Sequence, residues 1–87
     1  MSITKEDIQE IIKKFGKNEK DTGSPEVQIA ILTKEILNLQ AHLNKHKQDK
    51  NSKNSLIKKV SKRKKLLNYL KRKFPERYQK LVKELEL

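Results

Sequence analysis

The residues with the most chemical capability gather at three places. His42 and His46 stand one helical turn apart, and Asp49 and Ser52 follow at steps of three. Imidazole and carboxylate at such spacing are able to hold zinc. The same groups are also suited to base edges and sugar hydroxyls in the shallow minor groove of RNA. The lack of cysteine and the polar, solvated setting weigh against the metal, and the surrounding lysines favour a nucleic acid. The second place is Tyr69, set among Lys64, Lys65, Lys71 and Arg72. A phenol among cations can stack or hydrogen-bond on a base. With Leu66 and Leu70 beside it, Tyr69 can equally be the edge of a core, and spacing leaves both open. The third place is Asp21-Thr22-Gly23-Ser24. Glycine permits close backbone approach, and the free amides that open a helix can receive a phosphate. A plain turn and helix cap accounts for the same residues.

No catalytic constellation accompanies these groups. There is no nucleophile with a base, no carboxylate pair in a cleft and no phosphate-binding glycine pattern, the two glycines Gly16 and Gly23 being too few for one. An enzyme is the class least expected, and no cofactor is implied. With 87 residues the chain has room for one domain, spanning 1–87. A chain of this size buries only about 60–65% of its unfolded surface, so the core is thin. Met1-Ser2-Ile3-Thr4-Lys5-Glu6-Asp7 holds no apolar run of a signal-peptide kind. No stretch approaches the roughly 18 apolar residues of a membrane span. The expectation is a cytoplasmic protein with no membrane partner.

The net charge of +11 is unevenly placed. Residues 1–35 hold six basic and seven acidic side chains, and residues 76–87 hold three of each. Residues 36–75 hold thirteen basic side chains and one acid, Asp49. Solvated helices usually interleave the two signs, because opposite charges four residues apart stabilise a helix. Lys58, Lys59, Lys62, Arg63, Lys64, Lys65, Lys71, Arg72 and Lys73 have no acidic neighbour on their own segment. A phosphate backbone is the obvious external counter-charge. A merely soluble helix face and a membrane-surface helix are the alternatives. The second is weaker, because the apolar side is needed for a core.

Four helices must position these groups. Thr4, with Asp7 three residues on, predicts a capped start to the first. Ile8, Ile11, Ile12 and Phe15 form its apolar stripe, and Gly16 is expected to close it in a left-handed conformation. Ser24-Pro25-Glu26 predicts the start of the second, running from about Pro25 to Lys45. Its seam is Ile29, Leu32, Ile36, Leu39 and Leu43, widened by Val27, Ala30, Ile31 and Leu37. A polar turn over 44–52 follows, with Asn51 or Ser52 as cap of the third helix. The third seam reads Leu56, Val60, Leu67, Leu70 and Phe74, with Ile57 and Leu66 beside it. Pro75 ends it and opens a fourth helix with Tyr78, Leu81, Val82 and Leu85 on one side. The expected fold is all-α: a long antiparallel hairpin of helices two and three, covered at one end by two short helices.

Several runs together resemble a known family. Phe15-Gly16, then Asp21-Thr22-Gly23-Ser24-Pro25-Glu26-Val27-Gln28, resembles the start of bacterial small-subunit ribosomal protein fifteen. Leu39-Gln40-Ala41-His42-Leu43, His46-Lys47-Gln48-Asp49 and Ser52 are similar to the same family. So are Val60-Ser61-Lys62-Arg63-Lys64-Lys65-Leu66-Leu67-Asn68-Tyr69-Leu70-Lys71-Arg72 and Tyr78-Gln79-Lys80-Leu81. The resemblance covers essentially the whole chain. It departs at Lys53-Asn54-Ser55, where the family commonly has two arginines and a glycine. Lysine lacks the bidentate fork of arginine.

The resemblance implies a structural constituent of the small ribosomal subunit. Such a protein binds 16S rRNA directly, bridges RNA helices at a three-way junction and helps nucleate platform assembly. It also contributes to an intersubunit bridge with 23S rRNA. Neighbouring small-subunit ribosomal proteins, and its own mRNA in some members, are further implied partners; the free protein is expected to be a monomer. By position, Thr22, Gly23, Gln28 and Tyr69 match the junction-binding group. His42, His46, Asp49 and Ser52 match the minor-groove group, and Lys64, Lys65, Lys71 and Arg72 the backbone contacts. A nucleoid-type DNA-binding protein and a partner for an acidic protein are the competing readings. The first lacks a short recognition helix in a helix-turn-helix setting.

Overall fold

The computed structural model describes residues 4–16 and 23–85. Among them are four helices: α1 (Lys5–Phe15), α2 (Pro25–Lys45), α3 (Lys50–Lys73) and α4 (Pro75–Leu85). The opening of α1 is a capping box. Asp7 N donates to Thr4 Oγ1 (3.1 Å), and Thr4 N donates to the Asp7 carboxylate (3.4 Å). Gly16 closes this helix with φ −82° and ψ 160°. That is extended backbone, so the expected left-handed closure is corrected. The Gly16 amide still satisfies the last turn, donating to the Ile12 carbonyl at 2.7 Å.

The helix α2 has the predicted bounds. Ser24 takes its N-cap position, although its hydroxyl makes no side-chain cap bond to the described first turn. Its carbonyl accepts from the Gln28 amide at 3.0 Å. The following turn is tighter than predicted, because α3 begins at Lys50 and its cap is Asp49. Asn51 and Ser52 are therefore inside the helix. Asp49 wins the cap position because its carboxylate reaches the Ser52 amide, one of the donors a helix start leaves unpaired. At the other end Phe74 leaves the helical region (φ −139°, ψ 70°), as a residue before proline must.

Helices α2 and α3 pack along their length, with α1 against α2 and α4 against α3. The buried cluster Ile29, Leu70 and Leu81 joins α2, α3 and α4, and Phe15 of α1 packs onto it. Each such fully buried aliphatic side chain contributes about 1.5–3 kcal/mol of transfer free energy. Two ion pairs frame this end. Arg77 Nε and Nη2 donate to the two oxygens of Glu26 at 2.7 and 2.6 Å, and Lys14 lies 3.5 Å from Glu84. Both short helices thus cover the open end of the hairpin, as expected.

The middle of the hairpin departs from the predicted seam. Val60 and Ile57 are exposed, Ile57 to 64%, and so is Leu37 on α2. Lys59 and Arg63 turn inward instead and are only partly exposed. Lys59 Nζ donates to Glu35 at 2.8 Å, and Arg63 Nη1 donates to Thr33 Oγ1 at 3.4 Å. Ser52, Leu56, Lys59, Arg63, Leu66 and Leu70 recur at steps of three and four, the spacing of one helix face. The apolar residues alone had suggested a different rotation of α3.

Candidate nucleic-acid interface

At the turn, the end of α2 supplies His42 and the start of α3 supplies Asp49 and Ser52. Asp49 Oδ2 accepts from His42 Nε2 (2.8 Å) and from Ser52 Oγ (2.7 Å), while Oδ1 accepts from the Ser52 amide (3.0 Å). These three bonds, the Ser52 hydroxyl first, hold the Asp49 carboxyl well below the usual carboxylate range. An ionised carboxylate only accepts, so the proton in its bond to His42 sits on Nε2. In the neutral ring Nδ1 is then an acceptor. The His46 ring lies 4.7 Å from that of His42, tilted by 34°. Ser52 is buried and His46 exposed. The four residues singled out in the sequence thus form one contiguous group.

A second group lies at the open end. Tyr69 is 42% exposed, so it is not enclosed in the core and has a face open to a partner. At the same end, the Arg77 guanidinium has its pKa raised chiefly by its hydrogen bonds to Glu26. Arg77 also covers the Phe74 ring at 4.3 Å. Gly23 is exposed, and a Cβ placed there would meet nothing within 4 Å. Its role, if steric, therefore depends on a partner approaching. Gln28 is partly buried on the first turn of α2. Thr22 lies outside the described residues.

Helix geometry relates the two groups. Gln28, Glu35 and His42 are seven residues apart in turn, close to two full turns, so they share one side of α2. Gln28 and His42 are then about 21 Å apart, and Ser52 and Tyr69 about 25 Å. Lys64, Lys65, Lys71 and Arg72 of α3 are exposed but do not share one row. Lys64 and Lys71 form one row, and Lys65, Tyr69 and Arg72 another, about 100° around the helix. Lys71 reaches the Tyr78 ring of α4 at 5.8 Å.

Two features escaped the sequence reading. The Glu26–Arg77 fork joins residues 51 positions apart, and no local pattern signals it. The Glu35–Lys59 pair was accessible in principle. A hairpin turning between Lys47 and Gln48 sets residue 35 opposite residue 60.

A basic four-helix protein whose charge is concentrated on one long hairpin, with polar groups at both hairpin ends, has the build of a polyanion-binding structural protein. The match to known proteins is consistent with that build. The family model described as Ribosomal protein S15 matches residues 8–87. The small ribosomal subunit protein uS15 of Carboxydothermus hydrogenoformans is 55% identical over 87 residues, covering 100% of this chain and 98% of that protein. Those of Chlorobium chlorochromatii and Dictyoglomus thermophilum are each 53% identical with the same coverage. The chain belongs to the ribosomal protein S15 family, a structural family, and is not an enzyme.

Proposed function

We propose that this protein binds 16S rRNA directly and locks RNA helices together at a three-way junction. Its family makes it a structural constituent of the small ribosomal subunit. The observation that carries the finer reading is the layout of the hairpin. Residues 36–75 hold thirteen basic side chains and one acid, and polar groups about 25 Å apart mark its two ends. Cations lower the repulsion between RNA segments brought side by side. The two rows of cations on α3 suit two phosphate backbones rather than one.

The turn group, His42, His46, Asp49 and Ser52, contacts a paired RNA segment through its minor groove. Its ionised carboxylate and the His42 Nδ1 form an acceptor-rich group. Ribose hydroxyls and base amino groups are the donors such a groove displays. The open-end group, Thr22, Gly23, Gln28 and Tyr69, contacts the junction, with Tyr69 offering a ring for stacking. Lys64, Lys65, Lys71 and Arg72 contact the backbone. By this reading the protein acts in the ribosome, early in platform assembly, as one domain and a monomer until it binds. Contact with 23S rRNA across the subunit interface, with neighbouring small-subunit proteins and with its own mRNA completes the proposed partner set.

Binding to a platform-junction RNA and to an unrelated RNA hairpin across a salt series tests the reading. Both affinities should fall with salt, with the junction preferred throughout. Equal affinity for the two RNAs at every salt concentration refutes it.

A further inference from the structure

The hairpin carries a cleft of about 420 Å³ that begins at the turn group and runs along α3, lined by Glu35, Leu39, Asp49, Ser52, Ser55 and Lys59. Its chemistry differs from that of the rest of the hairpin. The single acid of residues 36–75, Asp49, and Glu35 immediately before that segment both line it. Carboxylates repel phosphate, so the cleft is a poor site for a nucleic-acid backbone on an otherwise cationic surface. Its one cation, the Lys59 ammonium, is already 2.8 Å from Glu35 and only partly exposed. The neutral Glu35–Lys59 pair both donates and accepts, and beside it stand the exposed Ser55 hydroxyl and, nearer the turn, the Asn51 amide.

A group that is itself both donor and acceptor fits such a lining. The ribose 2′-hydroxyl is one, and it is the group that separates RNA from DNA. Phosphate offers acceptors only. Ser55 follows Ser52 by three residues, about 4.5 Å along the helix axis. Ser55 therefore lies within one helical turn of the group formed by His42, Asp49 and Ser52.

We propose that this cleft is a ribose subsite, in which Ser55 and the Glu35–Lys59 pair take the 2′-hydroxyl of a nucleotide next to the one held by the turn group. The inference rests on the minor-groove reading of that group and extends it by one helical turn. It makes Ser55 and Glu35 specificity-determining residues for RNA over DNA.

The test is a scan of single 2′-deoxy substitutions through the paired segment of the junction RNA. Binding is measured for the wild-type protein and for the Ser55→Ala and Glu35→Gln variants, with helical content followed by circular dichroism. Ser55→Ala keeps the helix-favouring backbone, so the fold is not at stake. One deoxy position should weaken wild-type binding about 3- to 10-fold, as the loss of one hydrogen bond does. At that position Ser55→Ala should show no further loss, while keeping sensitivity at the position read by Ser52. If the wild type prefers the junction RNA but both variants keep its full deoxy profile, the ribose subsite is wrong and the minor-groove reading stands. If the wild type shows no preference for the junction, both fall.

Discussion

At the open end of the hairpin, Ile29, Leu70 and Leu81 are closed off from water and clamped by the Glu26–Arg77 fork. At the turn, about 25 Å away, the chain is held by the three hydrogen bonds of one ionised carboxylate, Asp49. The first end draws on burial together with the Glu26–Arg77 ion pair. The second draws on directional polar bonds. The comparison shows how a thin-cored protein holds two polar groups at fixed separation: apolar packing sets the frame, and polar bonds set the groups proposed to face RNA.

Leu70→Ala should break the comparison most severely. Leu70 has no exposed surface, and truncation of such a residue costs about 2–5 kcal/mol, a large part of the total for a small domain. Urea unfolding measures it. Arg77→Ala should come next, at about 1–2 kcal/mol, because it leaves the mostly buried Glu26 carboxylate without its bidentate partner. A double-mutant cycle with Glu26→Gln should recover most of that cost. Junction-end contacts should weaken with it, and turn-end contacts should not.

The turn end should show a pH dependence that Asp49 carries. The folded state lowers the Asp49 pKa, so its contribution is fully present above the unfolded carboxyl value, about 3.9. It is lost as pH falls through the folded value. The stability advantage of wild type over Asp49→Asn should therefore hold at pH 6 and shrink progressively below about pH 4. Urea titrations of both proteins at several pH values would show it; a constant difference would mean that Asp49 is not acting as an ionised cap. The smallest effect is expected at Ile57. Ile57→Gln should change stability by less than about 0.5 kcal/mol, since the side chain is 64% exposed.

That last case marks where the sequence was readable and where it was not. Helix bounds at Thr4, Pro25 and Pro75 were legible because caps and prolines act locally. The His42, Asp49 and Ser52 group was legible because helical spacing brings its members together across one short turn. The rotation of α3 was not. Leu56, Val60, Leu67, Leu70 and Phe74 form an acceptable apolar row, but Lys59 and Arg63 find partners in Glu35 and Thr33 across the hairpin. Such pairing depends on register between helices, which no single-helix pattern reveals. The same limit hid the Glu26–Arg77 fork, and it merged Lys64 and Lys71 with Lys65, Tyr69 and Arg72 into one patch where helix geometry makes two rows.

The claim that the two ends contact separate RNA segments is tested most directly by chemical probing of a junction RNA with three proteins: wild type, His42→Ala and Tyr69→Ala. Wild type should protect two sites. His42→Ala should lose the protection in the paired segment and keep that at the junction, and Tyr69→Ala should do the reverse. If each variant weakens both protections equally, or if wild type protects the RNA evenly along its length, the hairpin binds by charge alone and the account is contradicted.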